Sequence, residues 1–362
     1  MKITFPHLGN TYISIEALLE GLGHEPITPP LGSKRTLELG SELGPELICL
    51  PFKIVLGNML EGIDLGAAGV WMIGGWGPCR LGYYGEVQRI LLEKAGREVD
   101  FFLLEMPRGN MVKTRGLVSR IFGNTKPRTL WSGSQLAWAK LEAMEYLENL
   151  ALKTRPLEQS AGLTTKILNT HLRKLRRAQS IKTIKVLMEE GHKDFLDIRR
   201  AKGHSDTLKV AFVGEIYTVI EPLANLNLEQ RLGELGVEVV RTISLKKWVQ
   251  DHIFKKIIGR SHLSPLKRSA QGYLNTFVGG HGLESVAHSV DSAKANIHGV
   301  IQILPVACMP EIIAQGILPQ VSLDYNLPIM SLVVDEHSSE TGFQTRLEAF
   351  VDLLERQVYA HA

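Results

Sequence analysis

The chain has 362 residues, 44% of them hydrophobic and 22% charged, with a formal net charge of +3. That makeup belongs to a globular protein long enough for two or three domains with substantial cores. The charge is too small for a nucleic-acid binder, which needs a concentrated basic face. No stretch reads as a signal peptide or a bilayer span, so the expected location is the cytoplasm.

In chain order, Lys2 to Phe5 reads as a short strand, "PHLGN" as a turn, and Tyr12 to Leu22 as an amphipathic helix closed by Gly23, together half of a βαβ unit. Cys49 follows a short apolar run in "ELICLPFKIVLGNMLEG", two residues before Pro51 and a helix-like segment ending near Gly62. The apolar run Gly69 to Ile73 leads into "GGWGPCRLGYYGEVQ", where Cys79 stands at the exit of the run and before a second helix-like segment. From about Leu130 to Arg200 the pattern is helical and carries the basic run "LRKLRR", which reads either as a docking face for an acidic partner or as the solvated side of amphipathic helices. From Leu208 the βαβ pattern returns, with a turn near Gly236, and the runs Val300 to Leu304 and Ile329 to Val334 each precede a helical segment.

This alternation predicts the α/β fold class: two Rossmann-like, flavodoxin-like parallel-sheet domains with a helical insertion. The expected boundaries are 1–127 for the domain carrying Cys49 and Cys79, 128–204 for the helical part, and 205–362 for the domain carrying Cys308.

Cys308, in "VIQILPVACMPEIIAQG", also follows a strand-like run and stands two residues before a proline that suits a first helical turn. All three cysteines therefore read as lying between the end of a strand and the start of a helix. In an open α/β sheet that edge is where ligands bind, and a helix amino terminus favours a thiolate. An odd number of cysteines in a reducing compartment argues against a disulfide framework. Three thiolates without a CxxC pair differ from most structural zinc sites and suit an iron–sulfur cluster with one iron position left for another ligand. Three separate core cysteines remain the alternative on spacing alone.

The words "LPFKIVLGNMLEG", "GPCRLGYYGEVQ", "GEIYTVIEPLANLNLEQRLGELGVEV", "GGHGLESV", "ACMPEIIAQG" and "DEHSSETGFQTRLEAFVDLLER" span almost the whole chain. Together they resemble the acyl-CoA dehydratase activase-related proteins, or CoA protein activases. That family is similar to the iron–sulfur subunits of 2-hydroxyacyl-CoA dehydratases and benzoyl-CoA reductases and to double-cubane cluster proteins. The resemblance implies that Cys49, Cys79 and Cys308 hold a 4Fe-4S cluster, alone or as part of a double cubane. It also implies a cleft between two α/β domains as the cluster's seat, low-potential electrons delivered by a separate ATP-dependent activase, dimers of like or similar subunits, and an anaerobic setting. The sequence has no GxxxxGK[ST] phosphate loop, so the chain is not expected to hydrolyse ATP itself.

Beside the cluster, Arg80 offers charge, and Gly214, Glu215, Tyr217 and Asn225 sit where they would line the opposite crevice or simply stabilise a turn. His281 is a candidate hydrogen-bond donor to a sulfide or a bound ligand. Asp335, Glu336 and Arg346 belong to the terminal family block, where the acidic pair would also serve to cap a helix. Trp71, Trp76, Tyr83 and Tyr84 would shield a cluster or fill a core. No residue stands out as a proton-transfer group. A non-catalytic iron–sulfur partner or cluster-delivery protein is the alternative function, and a metal-free α/β binding protein a further one.

Overall fold

The computed structural model describes residues 1–74, 79–104, 126–202, 207–251 and 263–360. The chain divides into two compact units, Met1–Glu142 with Leu175–Ile184, and Ala143–Lys174 with Lys185–Ala362.

In the first unit, strands β1 (Lys2–Thr4), β2 (Glu25–Ile27), β3 (Gly69–Ile73) and β4 (Asp100–Leu104) form a wholly parallel sheet in the order β2-β1-β3-β4. Helices α1 (Tyr12–Gly21), α2 (Lys34–Leu43), α3 (Leu50–Asp64) and α4 (Leu81–Lys94) make its connections. Right-handed crossovers in this strand order send α1 to one face and both α3 and α4 to the other. The α1 face is sealed by Ile3, Phe5, Leu19, Leu22, Trp71 and Phe102. Helix α3 is buried along its length from Leu50 to Gly62, the polar Lys53, Asn58 and Glu61 included. Its contact with α2 requires a bare backbone: a Cβ on Gly57 would lie 1.9 Å from the Thr36 carbonyl oxygen.

The second unit repeats the strand order. Strands β5 (Leu208–Gly214), β6 (Val237–Arg241), β7 (Gly299–Pro305) and β8 (Ile329–Val334) run parallel as β6-β5-β7-β8. Its described helices include α8 (Ile216–Ile220), α9 (Pro222–Asn225), α10 (Leu228–Glu234), α11 (Leu245–Val249), α12 (Leu263–Ser269), α13 (Gly282–Lys294), α14 (Met309–Tyr325) and α15 (Glu340–Ala360). The same handedness places α13 and α14 side by side on one face. Arg241, at the end of β6, is clamped by Glu229 and Glu148 at 2.6 and 2.9 Å. Two carboxylates around one almost fully buried guanidinium satisfy its fork and leave no orphaned charge.

The helical stretch consists of α5 (Pro127–Thr154), a short 3-10 turn at Arg155–Leu157, α6 (Leu163–Arg177) and α7 (Ile181–Lys202). The division into units runs through it. Residues 175–184 join the first unit because Arg176 makes a two-pronged ion pair with Glu16 at 2.6 and 2.9 Å, packs over the Tyr12 ring, and offers its carbonyl to the buried Lys140 ammonium at 2.8 Å.

The α/β expectation therefore holds, with Gly69–Ile73 and Ile329–Val334 found as read from the sequence. The surroundings of Cys49 differ from expectation. The run before it is no strand: Cys49 lies at the α2–α3 junction, in a turn where the Ile48 amide bonds back to Pro45. Pro51 suits the first turn of α3, so the chain passes straight from this turn into the helix.

Candidate functional site

In a parallel sheet every strand ends at the same edge, and the helices that return the chain start at that edge and run back. Cys49 is the N-cap of α3, and Cys79 stands just before Arg80, the N-cap of α4. Since α3 leads into β3 and α4 leaves it, the two starts are neighbours on one face. Side-chain contacts confirm this. Arg80 donates through Nη1 to the Leu47 carbonyl at 3.5 Å, the Cys49 thiol touches the Tyr84 hydroxyl, and Tyr84 meets Phe52 edge to face at 5.0 Å. Cys49 is buried and Cys79 partly exposed. Two cationic side chains belong to these starts, Arg80 and the buried Lys53, whose ammonium bonds the Glu46 carbonyl.

Cys308 is the buried N-cap of α14, after β7 as expected. Its turn contains Ala307 in the left-handed region, φ +61°, an uncommon state for a residue with a Cβ. His281 is the N-cap of α13, and its carbonyl accepts from the Ser285 amide at 2.8 Å. The starts of α13 and α14 are locked together: a Cβ on Gly282 would lie 2.3 Å from the Pro310 carbonyl oxygen, and the Ser285 hydroxyl lies 2.9 and 3.0 Å from the Glu311 carboxyl oxygens.

Glu311, three residues after Cys308, was not foreseen. It is fully buried, and its carboxyl is held by two neutral side chains, the Ser285 hydroxyl and the Gln302 amide at 2.9 Å. Burial pushes its carboxyl up to about 8, held back by those hydrogen bonds and helped by the charges of Glu215 and Glu284. Burial likewise pushes Glu284 up to about 7, and its Oε2 is buried without a hydrogen-bond partner. A glutamate at the third helical position after a cysteine cap was the available signal, but a capping role for it is so ordinary that it carried no weight.

The other candidates fall into two groups. Gly214 closes β5 at φ +142°, where a Cβ would lie 2.0 Å from the Ile303 carbonyl oxygen, so the glycine is required by close strand approach. Glu215 caps α8, accepting from the amides of Tyr217 and Thr218 and from the Thr218 hydroxyl; burial raises its carboxyl. Asn225 donates to the carbonyls of Thr218 and Val219 and accepts from the Leu228 amide, so its side chain holds the turn. These are backbone-supporting roles. Tyr217 differs: its hydroxyl is buried without a hydrogen-bond partner, and burial holds its phenol well above the usual range.

Asp335 accepts from the His337 amide and the Ser338 hydroxyl, shaping the loop before α15. Trp71 is core, Tyr83 is exposed, and Tyr84 lies on Cys49. Trp76 lies outside the described residues.

No protein-family model matches the chain, and no curated protein matches it. Among the described residues no helix is long and apolar enough to cross a membrane. Among them, too, no three His, Cys, Asp or Glu side chains are gathered closely enough to hold a metal ion. What the described residues bring together at this edge is two thiols, Cys49 and Cys79, at neighbouring helix starts, with Arg80 and Lys53 beside them.

Proposed function

We propose that this protein is an iron–sulfur redox protein of the 2-hydroxyacyl-CoA dehydratase and benzoyl-CoA reductase kind, taking low-potential electrons from a separate ATP-dependent activase. The observation that carries this reading is the placement of Cys49 and Cys79 at the adjoining starts of α3 and α4, with Arg80 reaching across to Leu47. The resemblance adds Cys308 as the third ligand. Its own position, capping a 17-residue helix behind a parallel strand, suits a thiolate.

When bound, a 4Fe-4S cluster supplies one-electron chemistry with an iron position that three cysteines leave open. The chain's own residues do the rest. The helix starts stabilise the ligating thiolates, Arg80 and Lys53 offset their negative charge, and the Phe52–Tyr84 pair keeps water from the Cys49 sulfur. ATP hydrolysis belongs to the partner, and pairing with a second copy or a similar subunit in an anaerobic cytoplasm completes the reading.

Anaerobic purification with iron and sulfide analysis tests it. About four irons per chain, lost in Cys79→Ser, would support the reading. Protein that stays colourless and iron-free after anaerobic reconstitution would exclude it.

A further inference from the structure

Glycines inside the helices of this chain mark places where something approaches closely. A Cβ on Gly57 of α3 would strike the Thr36 carbonyl, one on Gly85 of α4 would lie 2.3 Å from the Leu103 side chain, and one on Gly191 of α7 would lie 2.4 Å from Leu147. Gly316, near the middle of α14, is different. A Cβ there would meet nothing within 4 Å, and the residue is ordinary helical backbone. Nothing inside the chain requires the weakest helix former after proline at that place.

The two faces of α14 are both apolar. On the inner face Ala314 and Ile317 pack among Leu283, Val286 and Ala287 of α13, and Leu318 and Val321 are buried. The outer face carries Met309, Ile312, Gly316, Pro319 and Leu323, which at about 100° per residue fall within about 80° of arc along about 21 Å of helix. All five are exposed, Met309 by 41%, Ile312 by 47% and Leu323 by 77%. No charge interrupts the strip: Glu311 is buried, and Asp324 lies to one side, where Tyr273 and Gln320 bind it. A surface helix ordinarily turns charged and polar residues to water. An apolar outer face with bare backbone at its centre is a surface made to be covered.

The strip is symmetric about Gly316. Met309 and Leu323 stand seven residues to either side, and Ile312 and Pro319 stand four and three. Turned end for end it presents the same pattern, which a two-fold contact between identical chains requires. With α14 antiparallel to its copy, Met309 meets Leu323, Ile312 meets Pro319, and the two Gly316 backbones close at the crossing. A membrane-surface helix would flank its apolar face with Lys or Arg, and α14 has neither. A partner selected by charge would find none on the strip to pair with. The strip alone is short of the roughly 800 Å² that each side of a stable complex buries. Val306 and Val333, exposed at the carboxyl edge where α14 starts, widen it.

We infer that the outer face of α14 is the contact between two copies of this chain, antiparallel about Gly316. The inference rests on the pairing contained in the reading above and not on its iron. The contact is small, so the dimer forms and separates with concentration.

Sedimentation velocity of the full chain over a concentration series, under anaerobic conditions, tests it. The wild-type chain is expected to pass from monomer to dimer. Gly316→Leu, whose site is open in the single chain, and Leu323→Lys, at an exposed side chain, should each weaken association about tenfold or more with the circular dichroism spectrum unchanged. Gly316→Cys should cross-link copy to copy under a mild oxidant, whereas Gly342→Cys, at an open glycine of α15, should not. A wild-type chain that stays monomeric at every concentration, alone or bound to lipid vesicles, would overturn the inference, as would a dimer indifferent to both Gly316→Leu and Leu323→Lys. Iron analysis of the same samples keeps the two readings apart. An iron-free dimer broken by Gly316→Leu upholds this contact and refutes the cluster, and an iron-loaded monomer overturns the contact and leaves the cluster reading standing.

Discussion

The two units are built on one strand order and differ in what they put at the same places. At the paired helix starts the first carries two cysteines with basic neighbours, whereas the second carries a histidine and a cysteine with buried carboxyls close by. The topology supplies a location at the carboxyl edge and says nothing of the chemistry placed there.

The comparison is broken most severely by removing a thiol from the first unit. Cys79→Ser is expected to take iron content from about four per chain to near zero while leaving the fold intact, because the side chain is only partly buried; iron analysis with circular dichroism would check this. Retention of full iron would show that the first pair holds no cluster.

A large effect of another kind is expected at the α2–α3 contact. Gly57→Ala places a methyl against the Thr36 carbonyl, and a loss of about 2–4 kcal/mol in denaturant unfolding is expected. That would disturb the helix that Cys49 caps. An unchanged midpoint would show that α2 can shift without cost.

The acidic character of the second unit is tested through pH. The carboxyls of Glu311 and Glu284 sit above their ordinary value, at about 8 and about 7. The folded chain therefore holds protons that the unfolded chain has released, and the stability these groups contribute is complete below about pH 4.5 and lost as pH rises through 7 and 8. Unfolding followed from pH 5 to pH 9 should show a fall on the order of 2 kcal/mol or more, and Glu311→Gln should flatten it. A flat wild-type profile would mean that these carboxyls titrate normally.

The smallest effect is expected at Arg80. Its bond to Leu47 is long and exposed, so Arg80→Ala should cost about 0.5 kcal/mol or less and leave iron bound. Its charge should show instead as a lower reduction potential, measured by anaerobic titration.

Much of this was legible in the chain. The strands Gly69–Ile73 and Ile329–Val334 stand out because buried parallel strands read as unbroken apolar runs. The helix starts at Cys49 and Cys308 are marked by prolines in the first turn. Strand β2 was not legible, being three residues that include a proline and paired on only one side. Nor was the turn before Cys49, since Ile48, Cys49 and Leu50 are apolar whether the backbone is extended or turning. Glu311 was hidden for a different reason: the partners that make it unusual, Ser285 and Gln302, lie 26 and 9 residues away and meet it only in the folded unit.

The long helix Pro127–Thr154 begins among the residues of the first unit and ends among those of the second, and the first unit then takes back Leu175–Ile184. Neither unit is an uninterrupted length of polypeptide. During synthesis Glu16 emerges long before Arg176, so the amino-terminal sheet waits with a carboxylate lacking its arginine until nearly half the chain has left the ribosome. No single break in the chain separates the two units intact: wherever one peptide bond between them is cut, at least one unit is left without part of itself.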